Sequence, residues 1–214
     1  NIIQNQVSLL LIETSSPLLN PFFILYLKKK YKLMVVSFAM DDEFKFEWIS
    51  SIYATISDIV LTFDYVSVAR YRQAGINAFF FMHSIDISYQ IFNKKNDKYK
   101  NDVTFVGKVD EKPSRQELLE YLKSNGVDTK VFASNGASDP SFLSTEDMYA
   151  VYSNSIINLS FSGITTYGKF THILGERIRG NKARPFEILL VNGFCLCEFS
   201  ISTSKIKDLL FSIF

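Results

Sequence analysis

Three short stretches of the chain carry residue types that could do chemistry. Gly107 and Lys108 follow the apolar run Val103-Thr104-Phe105-Val106, and Arg115 comes shortly after. A glycine directly after a strand lets a ligand approach the backbone, and basic side chains near a helix N-terminus suit a diphosphate. The run is neither G-x-G-x-x-G nor a Walker motif, and a tight turn with two solvated basic side chains would read the same way. In Lys182-Ala183-Arg184-Pro185-Phe186-Glu187, two cations stand just before a helix, where they would add to its N-terminal dipole and could clamp phosphate. Glu187, in the first turn, could accept hydrogen bonds from two ribose hydroxyls or simply complement the dipole. Asp41 and Asp42, after the strand ending at Phe38, could supply a base or hold a divalent cation, because one ionised carboxylate raises the pKa of its neighbour. Solvated loop acids have the same appearance. His83 and Asp86, after the strand ending at Met82, could touch a substrate or be structural.

No metal site is expected. Cys195 and Cys197 share one face of a strand with Cβ atoms roughly 6–7 Å apart, whereas a disulfide wants about 3.8 Å. They read as buried thiols in an apolar strand. A zinc site would need further ligands, and the only histidines, His83 and His172, are distant in sequence.

The elements that must position these residues alternate along the chain. Strands are expected at 7–13, 33–38, 59–63 and 78–82, with helices over 21–31, 46–56 and 66–74 between them. The Asn, Lys, Asp and Tyr composition of 89–101 reads as a linker. Alternation resumes with a strand at 103–107, a helix over 114–124 opened by the capping-box spacing of Ser114 and Glu117, and strands at 130–132 and 156–161 around a helix over 145–152. A long polar loop, 162–182, leads to a helix opened by Arg184 and Pro185 and closed by Asn192-Gly193; a strand at 194–198 and a helix over 204–214 complete the reading. Short apolar runs separated by helices predict an α/β fold with parallel sheets. A partial N-terminal domain over 1–88 and a second over 102–214 would place their ligand beyond the carboxyl ends of the strands.

Composition narrows the classes. The 214 residues are 47% hydrophobic, with 23 basic against 22 acidic groups and a formal charge of +1. Disorder and a nucleic-acid-binding basic tail are disfavoured, and any anionic ligand must be held by a few local cations. The uncharged stretch 14–27 carries Pro17 and Pro21 and falls short of the ~20 residues of a spanning helix. No membrane span is expected, and the chain reads as cytoplasmic.

Taken together, Asp41-Asp42, Ser57-Asp58-Ile59-Val60-Leu61-Thr62-Phe63-Asp64 and Tyr71-Arg72-Gln73-Ala74-Gly75-Ile76 resemble the N-terminal half of the CgeB-type, spore-maturation-protein-like glycosyltransferases. Asp102-Val103-Thr104-Phe105-Val106-Gly107, Arg115-Gln116-Glu117-Leu118-Leu119, Ile156-Ile157-Asn158-Leu159-Ser160, and Arg184-Pro185-Phe186-Glu187-Ile188 with Asn192-Gly193-Phe194 resemble the C-terminal half. The resemblance implies a GT-B fold, two Rossmann-like domains facing a cleft, with a nucleotide-sugar donor held mainly by the C-terminal domain. It implies transfer of the sugar to a sugar, protein or lipid-linked acceptor without an obligatory metal or other cofactor. Carried over by position, Arg184 would face the diphosphate and Glu187 the ribose, with Gly107, Lys108, Arg115 and Lys182 around them. Gly180 stands further from the Arg-x-Phe-Glu segment than the family's glycine-rich loop does. Asp42 and His83 are the candidates for taking the acceptor's proton.

Two other readings use the same fold: a non-catalytic scaffold or binding module, such as a surface or spore-layer component, and a nucleotide-sugar epimerase. Two domains of the implied kind need ~300 residues at ~150 each. The chain is therefore expected to be incomplete at the N-terminal domain's first strands and the C-terminal domain's last helices.

Overall fold

The computed structural model describes residues 7–14, 19–93, 95–109, 113–132, 142–163, 179–180 and 182–201. The expected helix over 204–214 and most of the expected loop over 162–182 lie outside them. The chain forms two compact units: Asn1–Met82 with Gly163–Asn181 and Phe199–Phe214, and His83–Ser162 with Lys182–Glu198. The chain passes between the units more than once.

The first unit holds a parallel sheet of β1 (Leu9–Glu13), β2 (Met34–Ala39), β3 (Ile59–Thr62) and β4 (Ala78–Phe80), in that order. Helix α1 (Pro21–Tyr31) starts where the Asn20 carboxamide accepts the Phe22 and Phe23 amide protons and Pro21 presets φ, and it ends at Lys32 in the left-handed conformation. The lysine run at its end is not simply solvated, since Lys28 pairs with Asp58 at 2.8 Å and Asp58 also accepts the Val35 amide proton. The helix expected over 46–56 begins earlier: α2 (Asp42–Lys45) passes through a π-helical turn (Phe46–Ser50) into α3 (Ser51–Ala54). Asp64 then caps α4 (Tyr65–Gln73), accepting from the Val66 and Ser67 amides.

Strands that follow one another across a sheet through right-handed crossovers put every crossover helix on the same face. Ile12 and Val35 accordingly pack with Ile24 and Tyr53, and Val60 and Ala78 with Ala54 and Tyr71. The alternate residues point the other way, and Leu9, Leu11 and Met34 are 50%, 61% and 49% exposed.

The second sheet has the order β6-β5-β7-β8, from β5 (Asn101–Val106), β6 (Thr129–Phe132), β7 (Ser155–Ser160) and β8 (Cys195–Cys197), again all parallel. Helix α5 (Pro113–Ser124) leads outward from β5 to β6; α6 (Thr145–Asn154) carries the chain back past β5 to β7, and α7 (Arg184–Leu190) continues to β8. Reversing direction places α5 on one face, where Leu119 packs with Val103, Phe105 and Leu159, and α6 and α7 on the other, where Tyr149, Val151, Tyr152 and Ile188 pack with Val106. Helix α5 starts at Pro113, so Ser114 lies inside its first turn rather than at the cap. Ser144 does cap α6, accepting the Asp147 amide proton and donating to the Asp147 carboxylate.

Two expectations are corrected in this unit. Residues 89–101 are not a bare linker: Ile87–Phe92 and Asp97–Tyr99 form 3-10 turns, Tyr89 and Phe92 stack with Tyr149, and Tyr99 is buried. Three aromatic rings packed on α6 outweigh the surrounding Asn, Lys and Asp. The cysteines are not both buried either, because β8 is an edge strand; Cys195 is half-buried and Cys197 exposed. Among the described residues, no helix is long and apolar enough to cross a membrane.

Candidate functional site

Strand order reverses between β5 and β7, so the loops that leave these neighbours diverge to opposite faces at their carboxyl ends, the position where open α/β sheets usually bind ligands. Gly107 is the first residue beyond β5 and Ser162 lies just beyond β7. Buried Asn158 holds the two strands in place: its carbonyl accepts from Thr104 on β5, while its amide donates to the Tyr152 carbonyl on α6 and the Phe194 carbonyl before β8. A polar residue in the centre of an apolar strand run was the available sign of this role.

At this end of the sheet, Gly107 donates its N–H to the Phe132 carbonyl and has φ 155°. A Cβ there would lie 2.8 Å from the Phe105 ring and 2.9 Å from the Arg184 guanidinium. The glycine is therefore what lets Arg184 close over the end of β5. Arg184 donates to the Val106 carbonyl, and its Nε stands 3.9 Å from the Glu187 carboxylate. This Nε is buried without a hydrogen-bond partner, and the Tyr152 hydroxyl lies beside Arg184. A buried donor left unpaired costs about 1–3 kcal/mol, so the Arg184 Nε has the capacity to take a further acceptor.

The electrostatics follow from this enclosure. Burial pushes the Glu187 carboxyl up, and the Arg184 cation only partly offsets it. Tyr149 is pushed up to about 12 by burial, with the Glu187 charge acting the same way. Arg115, in the first turn of α5, donates to the Lys108 carbonyl at 3.1 Å and stacks over the Phe105 and Phe161 rings at 5.7 and 5.2 Å. Beyond β7, the Glu198 carboxylate accepts from the amide and hydroxyl of Ser162.

The structure thus brings Gly107, Arg184 and Glu187 together at one point, with Lys108 and Arg115 paired next to them. Lys182, half-buried, stands two residues before α7. Tyr152 and Asn158 were not singled out as site residues by the sequence, because a helix face and a strand centre look alike whether they line a site or fill a core.

The two candidates for a base, Asp42 and His83, have different surroundings. Asp42 is fully buried in the first unit, accepting from the Thr62 hydroxyl at 2.7 Å and the Tyr71 hydroxyl at 2.9 Å. Burial raises its carboxyl above the usual range despite these donors. A side chain enclosed in this way ties together α2, β3 and α4. His83 is half-buried in the segment after β4.

The first unit has its own cavity of about 360 Å3, lined by Glu43, Asp64, Val66, Arg70 and Arg179 with Phe199, Ser200 and Ile201. Its polar groups already serve the fold: Asp64 caps α4, and Arg70 pairs with Glu47 and lies 3.6 Å from the Phe46 ring centre. Among the described residues, no group of three or more His, Cys, Asp or Glu could hold a metal ion. No family model matches the chain, and no curated protein matches it.

Proposed function

We propose that the protein is a glycosyltransferase that uses a nucleotide-sugar donor, akin to the CgeB-type enzymes of GT-B fold, and that its second unit binds the donor. The observation that carries this reading is the meeting of Gly107, Arg184 and Glu187 at the point where the second sheet reverses strand order. A diphosphate placed there would meet the Arg184 Nε, with Lys108, Arg115 and Lys182 as further cations. Glu187 would accept from ribose hydroxyls.

Negative charge grows on the departing nucleoside diphosphate as the bond to the anomeric carbon breaks. Cations fixed in advance stabilise that charge more in the transition state than in the ground state. Arg184 is fixed by its contacts with Val106 and Glu187, and Arg115 by its rings and the Lys108 carbonyl. The acceptor's proton needs a different group, and His83 remains the candidate.

The test is thermal denaturation with UDP, GDP, TDP and CMP in turn. Ligand at a hundred times its Kd stabilises by about 2.7 kcal/mol, which raises Tm by several degrees for a chain of this size at roughly 2–4 °C per kcal/mol. One nucleotide is expected to give this rise, and Arg184→Ala and Glu187→Gln are expected to abolish or reduce it while the free protein still melts cooperatively. Absence of a shift with every nucleotide would count against the proposal.

A further inference from the structure

The remaining cluster of reactive side chains is the pair of cysteines on the edge strand of the second sheet. Cys195 and Cys197 stand opposite Asn158 and Ser160 of β7, so both thiols lie on the face covered by α6 and α7. Cys195 packs against the core beneath α7, and Cys197 is exposed at the carboxyl end of the strand. Both are free thiols.

We propose that Cys195 and Cys197 form a two-thiolate site for a soft monovalent cation of the Cu(I) class. Residues two apart on a strand hold their Cβ atoms roughly 6–7 Å apart, too far for a disulfide at about 3.8 Å. A metal ion between the sulfurs lengthens the bridge. Taking about 2.3 Å for each metal–sulfur bond, the sulfurs can stand up to about 4.6 Å apart. The spacing that prevents oxidation to a disulfide therefore fits a metal bridge. The ligand set then selects the ion. Thiolates favour soft metals, whereas zinc takes four ligands in its structural sites. No third His, Asp or Glu joins the cysteines among the described residues. Glu198, the nearest carboxylate in sequence, is occupied by Ser162. A ligand set of two sulfurs among the described residues suits a monovalent d10 ion that accepts linear coordination. Binding joins two sulfur–metal bonds and releases the thiol protons to solvent, with no change of oxidation state.

The whole chain, reduced and kept free of oxygen, would be titrated with Cu(I) against bathocuproine disulfonate, whose coloured complex reports the copper left to the chelator. The expected result is one copper removed from the chelator per chain and none by Cys197→Ser, with a sulfur-only first shell of two atoms by X-ray absorption. Cys197 is exposed, so this variant is expected to keep the Tm of the parent and the same nucleotide shift, which separates failure here from failure of the donor reading. Unchanged copper uptake in Cys197→Ser, no uptake in the parent, or a shell with nitrogen or oxygen neighbours would overturn the proposal.

Discussion

Asp42 is the residue whose environment departs most from what its neighbours in sequence suggest. Paired with Asp41 it looks like a loop acid, but Asp41 takes the left-handed conformation before α2 and Asp42 turns inward to Thr62 and Tyr71. One carboxylate oxygen, Oδ1, is buried with no hydrogen-bond partner. Because burial raises its folded-state pKa, the folded state holds the proton more tightly than the unfolded chain, whose carboxyl titrates near 3.8. The contribution to stability is therefore fully present below that pH and is lost as pH rises through the folded pKa. Asp42→Asn keeps an acceptor for Thr62 and Tyr71 and removes the buried charge. The Tm of the variant relative to the parent is expected to rise from pH 4 to pH 7, and a difference that stays constant across this range would exclude the assignment. At Gly107 the constraint is steric: any side chain there meets Phe105 and Arg184, so this position joins the backbone of β5 to the site.

At the scale of elements, β1 shows how alternation is translated into burial. Ile12 is 1% exposed against Ile24 and Val35, while its neighbour Leu11 is 61% exposed on the face opposite the helices. Ile12→Ala is expected to lose about 2–5 kcal/mol, whereas Leu11→Lys is expected to stay within about 0.5 kcal/mol. Urea denaturation of the two variants checks this, and comparable losses would mean that the outer face is covered. The strands and most helices were legible because apolar runs and their caps, such as Asn20 and Ser144, are local signals. The 3-10 turns at Ile87–Phe92 and Asp97–Tyr99 were not, since their order comes from aromatic contacts with α6, distant in sequence. The exposure of Cys197 was hidden for a similar reason: Phe194-Cys195-Leu196-Cys197 reads as a core strand, and only the sheet order makes it an edge.

Over the whole molecule, two four-stranded parallel sheets are wound differently, and only the second reverses direction between neighbouring strands. A ligand held at that reversal should protect one sheet and not the other. With the nucleotide that shifts Tm, hydrogen exchange is expected to slow at Gly107 and Lys108 and over residues 182–190, and to stay unchanged in β1 to β4; equal protection of both sheets would argue against donor binding in the second unit. Lys108, Arg115, Lys182, Arg184 and Glu187 could be picked out by type and by position beside strand ends and helix starts. Their grouping could not, because Gly107 and Arg184 are far apart in the chain and meet only when β7 pairs beside β5 and α7 folds back over the end of β5. The sequence by itself determined the α/β alternation and the chemical groups on offer, since hydrophobic period, caps and residue type are local properties. The tertiary structure alone decided which of those groups meet at one strand end, which carboxylate is enclosed and which thiols reach solvent, because strand order and crossover direction depend on contacts between segments distant in the chain.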